Sequence, residues 1–273
     1  MSEMIASLFK KFKAKPVPTR QAKTPADTVI WAVGDVHGRL DLLDPLVGAI
    51  LEDLARSTVG RKIVVFLGDY IDRGPDSRGV LDRLCWLQDQ PGIETHFLRG
   101  NHEDRMEAFL VDPEVGPGWC EYGGREALRS YGVTPPVMKG DVEGWTAASL
   151  ALNNALPDRQ RQFLSRQESS FAAGDYFFAH AGAKPGLALS EQSPDDLMWI
   201  RQGFLEHTDT FEQVVVHGHT PGEAVHADVR RIGIDTGAYA TGVLTGLRLE
   251  AAARELIQTR TAGRTVALSR TPV

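Results

Sequence analysis

Short apolar runs alternate along the chain with amphipathic stretches, most regularly over the first hundred residues. Residues 29–33 (VIWAV), 63–67 (IVVFL) and 95–98 (THFL) are rich in β-branched or aromatic side chains and end at Gly or at Arg-Gly. Runs of that length and composition are strands buried on both faces. Between them, residues 39–54 carry apolar side chains at 40, 42, 43, 46, 47, 50, 51 and 54, and residues 77–87 carry them at 80, 81, 84 and 87. Both are patterns of amphipathic helices. The order β-α-β-α-β predicts parallel strands with crossover helices, a topology that binds ligands beyond the carboxyl ends of its strands. Residues 176–179 read as a further buried strand. The strand-like segments 214–216, 223–229, 232–235 and 243–249 suggest a second sheet. Between these halves, 124–128 and 145–164 have helical spacing broken near Pro135-Pro136 and at Pro157, so 104–170 is expected to form a helical insertion that sets specificity.

Polar clusters follow the apolar runs directly: Gly34-Asp35-Val36-His37-Gly38, Gly68-Asp69-Tyr70-Ile71-Asp72-Arg73-Gly74 and Gly100-Asn101-His102-Glu103, then Ala179-His180-Ala181 and Gly218-His219-Thr220. An Asp or Asn beside Gly, taken alone, is an ordinary turn or helix cap. Several such clusters, each at the end of a strand, form a site, and the glycines let the backbone approach an ion or phosphate closely. Asp, Asn and His without a thiolate suit Mn²⁺ or iron in open coordination better than a closed structural zinc. His217 and His219 lie two apart after a strand and share a face, so spacing does not choose between them. Glu103 reads equally as a site residue or as an acid favoured in a helix's first turn. His96, His207 and His226 have no such frame and are expected to be structural or exposed.

From about residue 29 to 249 these clusters resemble, in order, those of the phosphoprotein phosphatase family of metallophosphatases, in the branch of bacterial serine/threonine protein phosphatases and symmetrical dinucleoside tetraphosphatases. The resemblance implies an α/β fold, a four-layer α/β/β/α sandwich with a helical insertion. It also implies a catalytic domain over 26–250 and a C-terminal extension over 251–273. It makes Asp35 and His37 ligands of a first metal, Asp69 the bridging carboxylate, and Asn101, His180 and His219 ligands of a second, which favours His219 over His217. Two divalent ions, Mn²⁺ foremost with Fe or Zn as alternatives, would sit about 3.5–4 Å apart and generate a bridging hydroxide for in-line attack on phosphorus. His102 would protonate the leaving alkoxide while Asp72 orients its ring. Arg73, and Arg201 on a shorter Trp-x-Arg match, would grip phosphate oxygens through their planar guanidinium groups. Pro221 stands where many wider metallophosphoesterases carry a second His, which points to the protein-phosphatase branch. The segments Trp119-Cys-Glu-Tyr-Gly-Gly-Arg125 and Ser130-Tyr-Gly132 resemble loops of bacterial members, although Tyr122 replaces a frequent Asn. The implied substrate is a phosphoserine or phosphothreonine protein. The alternative is a dinucleoside tetraphosphate cleaved symmetrically, and an inactive metal-binding scaffold is disfavoured by the complete residue set.

Composition adds bounds. At 273 residues with 42% hydrophobic side chains, the chain can bury the core of one large α/β domain. It has no run of about 18 apolar residues that could span a bilayer. Cys85 and Cys120 are too few for a disulfide framework, and Cys85 falls in an apolar helix register, so a reducing, cytoplasmic setting is expected. Residues 1–25 carry Lys10, Lys11, Lys13, Lys15, Arg20 and Lys23 against Glu3 alone, on a chain of net charge −6. Its apolar residues precede the basic ones, the reverse of a signal peptide. With its prolines, the stretch is expected to be a disordered basic tail able to make weak contact with anionic lipid or an acidic partner. The acidic remainder disfavours nucleic acid as a partner.

Overall fold

A computed structural model describes residues 21–263 and 265–273. Strands β1 (Thr28–Val33), β2 (Arg61–Phe66) and β3 (Glu94–Phe97) pair in parallel, joined by helices α1 (Leu40–Arg56) and α2 (Ser77–Gln88). Five helices follow: α3 (Asn101–Val111), α4 (Gly116–Trp119), α5 (Arg125–Ser130), α6 (Val142–Ala155) and α7 (Asp158–Ser165). Then come β4 (Ser170–Ala173), β5 (Tyr176–Ala179), α8 (Pro194–Trp199), α9 (Gln202–Leu205), β6 (Val214–His217), β7 (His226–Ala227) and β8 (Arg231–Gly233). The chain closes with α10 (Ala238–Thr241), β9 (Val243–Glu250), β10 (Ala253–Ala262) and β11 (Thr265–Pro272).

Two mixed sheets result, ordered β11-β10-β9-β1-β2-β3 and β4-β5-β6-β8-β7. Successive strand side chains point to opposite faces, and the burial follows that alternation. Ile30 and Ala32 of β1 face Tyr176 and Phe178 of β5 and Val214 and Val216 of β6 in the core between the sheets. Val29, Trp31 and Val33 point outward to α1, α2 and the side chains of the helical region, including Trp119 and Trp145. On the far side, Phe177, Ala179 and Val215 pack beneath Leu197 of α8 and Phe204 of α9. Helices, sheet, sheet and helices are thus four layers of an α/β/β/α sandwich.

Three sequence expectations are corrected. Residues 243–249 belong to the first sheet, because β9 runs antiparallel beside β1. The strand expected over 223–229 shrinks to the two residues of β7, since the Asp228 carboxylate accepts Arg230 N–H (2.7 Å) and Arg231 N–H (2.9 Å) and turns the chain there. Residues 21–25 are held rather than disordered. Thr24 N–H donates to Ala251 O (3.0 Å), Ala251 N–H to Thr24 Oγ1 (2.9 Å) and Lys23 N–H to Asp175 (3.0 Å), so backbone groups are satisfied by the body. The basic residues from Lys10 to Arg20 lie outside the described residues. Downstream, 253–272 forms β10 and β11, paired in series with β9.

Candidate active site

Every polar cluster emerges at the carboxyl end of a strand: Asp35 and His37 after β1, Asp69 to Arg73 after β2, Asn101 and His102 after β3, His180 after β5 and His219 after β6. The loops interlock tightly. A side chain on Gly100 would strike the Asp69 amide, and one on Gly218 would strike the Asp35 carboxylate. Among the described residues, seven other than glycine have positive φ, and five of these are His37, Asp69, Asp72, Arg73 and His219. Left-handed backbone of this kind is costly for residues with a Cβ and persists only where surrounding bonds impose it.

Glu103 supplies many of those bonds. Its carboxylate accepts the backbone N–H groups of Asp69 (2.9 Å), Tyr70 (2.8 Å), Ile71 (3.2 Å) and Gly100 (3.1 Å). It is fully buried and ties the loop after β2 to the start of α3. Burial and the Asp69 charge push its pKa up to about 8, against four donors that favour the ionised form. Both readings open for Glu103 meet in the structure: it lies in the first turn of α3 and caps it through Gly100 N–H, and it also holds the loop after β2.

At the centre, the Asp69 oxygens face two groups of imidazoles. Oδ2 lies 3.6 Å from His37 Nε2 and 3.9 Å from His102 Nε2, while Oδ1 lies 3.4 Å from His180 Nε2. Asp69 with His37 and His102, and Asp69 with His180 and His219, form two groups whose ligand atoms each lie within 4.8 Å of one another. Asn101 Oδ1 joins the second group, 3.0 Å from His180 Nε2 and 2.8 Å from His219 Nδ1. His37 Nδ1 donates to Ile71 O (2.9 Å) and His180 Nδ1 to Leu67 O (2.8 Å). Their Nε2 lone pairs therefore point at carboxylate or amide oxygens. Burial lowers the pKa of His180, of His37 to about 3 and of His219 to about 2, so these rings are neutral. Neutral nitrogens and carboxylate oxygens converging on each other repel unless cations lie between them, and His219 Nε2 is buried without a hydrogen-bond partner. The donor set fits divalent metal ions.

Around this centre, Asp35 accepts His219 N–H at 3.0 Å through Oδ2 and faces Asp235. Burial, Asp235 and Asp69 raise the Asp35 pKa. Burial also raises Asp235, to about 6. Asp235 follows β8 within Gly233-Ile-Asp-Thr-Gly237, a glycine-framed cluster like the others that sequence reasoning passed over. His217 turns away, its ring bonded to Gly218 O (3.0 Å) and Arg231 (3.1 Å). This leaves His219 at the centre. His96 is a structural residue between Glu94 and Glu168.

His102 begins α3, and its Nδ1 lies 2.6 Å from Asp72 Oδ2. Burial works against charge on His102, but Asp69 and Asp72 together raise its pKa. Its Nε2 lies 3.9 Å from Asp69 Oδ2. Arg73, Asn101, His102 and Arg201 line one pocket of about 650 Å³ together with Arg105, Trp119, Tyr122 and Trp199. Arg73 lies over the Tyr239 ring (4.5 Å) and reaches His37 Nε2 (3.0 Å), and Arg105 lies 5.1 Å from the Trp199 ring. All ten residues singled out from the sequence border this centre or its pocket. Trp119, Tyr239, Arg105 and Trp199 were not among them, although Trp119 stands in the segment 119–125 and Trp199 in the Trp-x-Arg match that the resemblance had marked.

The chain is similar to known proteins. The bis(5'-nucleosyl)-tetraphosphatase PrpE [asymmetrical] of Geobacillus thermodenitrificans (strain NG80-2) is 25% identical over 241 residues, covering 79% of this chain and 88% of that protein. The serine/threonine-protein phosphatase 2 of Escherichia coli (strain K12) is 38% identical over 100 residues, covering 35% of this chain and 38% of that protein. The crystal structure of a cold-active protein-tyrosine phosphatase from a psychrophilic Shewanella superposes with a TM-score of 0.55 at 18% identity, covering 92% of this chain and 83% of the other, a likeness of fold. The sequence profile of the calcineurin-like phosphoesterases matches residues 28–244, a span that holds every side chain of the centre, and the chain belongs to that family of metal-dependent hydrolases of phosphoester bonds.

Proposed function

We propose that the protein hydrolyses phosphomonoesters, with phosphoserine and phosphothreonine proteins as its substrates. The observation that carries this reading is the division of the Asp69 oxygens between two groups of imidazoles, with a His-Asp pair and two arginines on the same pocket. Asp35, His37 and Asp69 would hold one divalent ion, and Asp69, Asn101, His180 and His219 the other. Manganese suits these oxygen and imidazole donors best. Bound there, the ions supply Lewis-acid charge to the phosphoryl oxygens and lower the pKa of water.

The chain's own residues do the rest. Arg73 and Arg201 bind and orient the phosphoryl oxygens with fixed forks of N–H donors. His102 donates a proton from Nε2 to the departing oxygen, and Asp72 keeps the opposite nitrogen protonated and the ring in register. Trp119 and Trp199 wall the pocket beside these groups. No helix among the described residues is long and apolar enough to cross a membrane. We place the protein in the cytoplasm on its two buried, unpaired cysteines.

A second reading, hydrolysis of dinucleoside tetraphosphates, has its own support. The PrpE relative covers most of the chain, and the pocket adds Arg105, Trp199 and Tyr122 to the phosphate-gripping pair, a lining able to take further phosphates and stack a base. Turnover of a phosphoserine peptide and of diadenosine tetraphosphate by Mn²⁺-loaded protein separates the two. The lead reading requires the higher kcat/KM on the peptide. A clear preference for the dinucleotide overturns it, and the products then show whether cleavage is symmetrical.

A further inference from the structure

We infer that Trp119, contributed by the helical region, is a positioning residue for the His102–Asp72 pair. The inference rests on the reading of His102 as proton donor. Asp72 Oδ2 receives two bonds, one from His102 Nδ1 (2.6 Å) and one from the Trp119 indole N–H (2.7 Å). Its other oxygen, Oδ1, is buried with no hydrogen-bond partner. The carboxylate is therefore anchored through a single oxygen, and Asp72 itself has a left-handed backbone (φ 72°). Without the indole donor, one bond to His102 would remain, and the carboxylate could turn about its terminal torsion, a soft, roughly two-fold rotor. The imidazole would lose its fixed heading toward the leaving oxygen.

The indole is built to stay in place. Trp119 is 2% exposed, packs on Phe109 at 5.2 Å between ring centroids and closes over Gly124, where an added Cβ would strike the indole ring. One edge of the same residue lines the substrate pocket. The region expected to choose the substrate thus also supplies a bond to the proton-donating pair.

Trp119→Phe keeps an aromatic ring and deletes the N–H. Charge-assisted bonds that orient a functional group are worth roughly 10- to 100-fold in activity when removed. On a phosphoserine peptide, whose alkoxide needs a proton, kcat should fall about 10-fold or more with KM within about 2-fold. On p-nitrophenyl phosphate, whose phenolate leaves unaided, the loss should stay below about 3-fold. In a His102→Asn background, the same substitution should cost less than about 2-fold on either substrate, because the pair it positions is already broken. Equal losses on both substrates, or an undiminished loss in that background, would overturn the inference. If His102→Asn itself shows no leaving-group dependence, the proton-donor reading fails. If it shows the dependence and Trp119→Phe does not, the role of Trp119 alone fails. Should Trp119→Phe not fold, Trp119→His, which retains a ring N–H, goes through the same cycle: a loss on the peptide no larger than that on p-nitrophenyl phosphate is expected, and a loss that falls on the peptide alone despite the retained N–H would overturn the inference.

Discussion

Glu103→Gln is an isosteric change with a large expected cost. In the native protein Oε2 accepts from Asp69 and Gly100 and Oε1 from Tyr70 and Ile71, all backbone N–H donors in a buried pocket. A carboxamide leaves one acceptor oxygen and presents an NH₂ group to the remaining pair, so two donors lose their partner whichever way the amide is turned. A buried donor left unsatisfied costs about 1–3 kcal/mol, which puts the loss near 3–5 kcal/mol for two donors meeting a third. Against a total stability of roughly 5–15 kcal/mol, that is a substantial fraction. At about 2–4 °C per kcal/mol for a chain of this size, thermal unfolding of the metal-free protein should shift down by roughly 6–20 °C. Asp69 sits on the loop that Glu103 holds, so Mn²⁺ affinity should fall in the same variant. Scanning calorimetry above pH 8, where the Glu103 carboxyl is ionised, gives the first quantity and a metal-binding titration the second. A midpoint within about 2 °C of the parent would refute the claim that these four bonds hold the loop.

Two further outcomes follow from the same geometry. Burial depresses the pKa of His37 and His217 to about 3 and of His219 to about 2, below the unfolded value near 6.5. The unfolded chain then takes up protons that the native one refuses. Stability present above pH 6.5 is lost from these rings as pH falls, by up to about 1.4 kcal/mol per unit for each, while the raised carboxyls of Glu103, Asp35 and Asp235 pull the other way over the same window, so each ring is followed separately. Imidazole NMR of the metal-free protein between pH 7 and 5 should show His37, His217 and His219 neutral throughout, and protonation of any of them in that window would contradict neutral rings. Thr24→Val removes an acceptor from Ala251 N–H and a donor to Thr28 O at a buried position, and should cost about 1–3 kcal/mol in chemical denaturation without changing kcat.

What the sequence discloses about this site follows from where its chemistry is local. Asp35-Val-His37 and Asp69 to Arg73 are contiguous, glycine-framed and set directly after apolar strands, so residue type and position suffice to place them. Trp119 lies 47 residues from Asp72 and reaches it only through the packing of the helical region, so nothing near either residue signals the bond. Asp235 shows the other limit. Its flanking glycines were visible, yet its role depends on Asp35, two hundred residues earlier in the chain and brought near by the return of β8. The existence of the strands buried on both faces, β1, β2, β5 and β6, was legible from apolar runs, whereas strand partnership was not. The sequence of β9 fits either sheet, and only the antiparallel register with β1 decides. Strands β10 and β11 lack a continuous buried face, and β11 is exposed along nearly its whole length, so no hydrophobic pattern announces them.

The central claim is that one carboxylate, Asp69, serves two metal positions at once. Metal analysis of Mn²⁺-reconstituted protein after removal of free ions tests it most directly, on the parent and on Asp69→Asn in parallel. The account predicts two Mn²⁺ per chain in the parent and loss of both in the variant, because the substitution removes negative charge from both groups of imidazoles. One ion per chain in the parent, or a variant that loses one and retains the other at parental affinity, would contradict it.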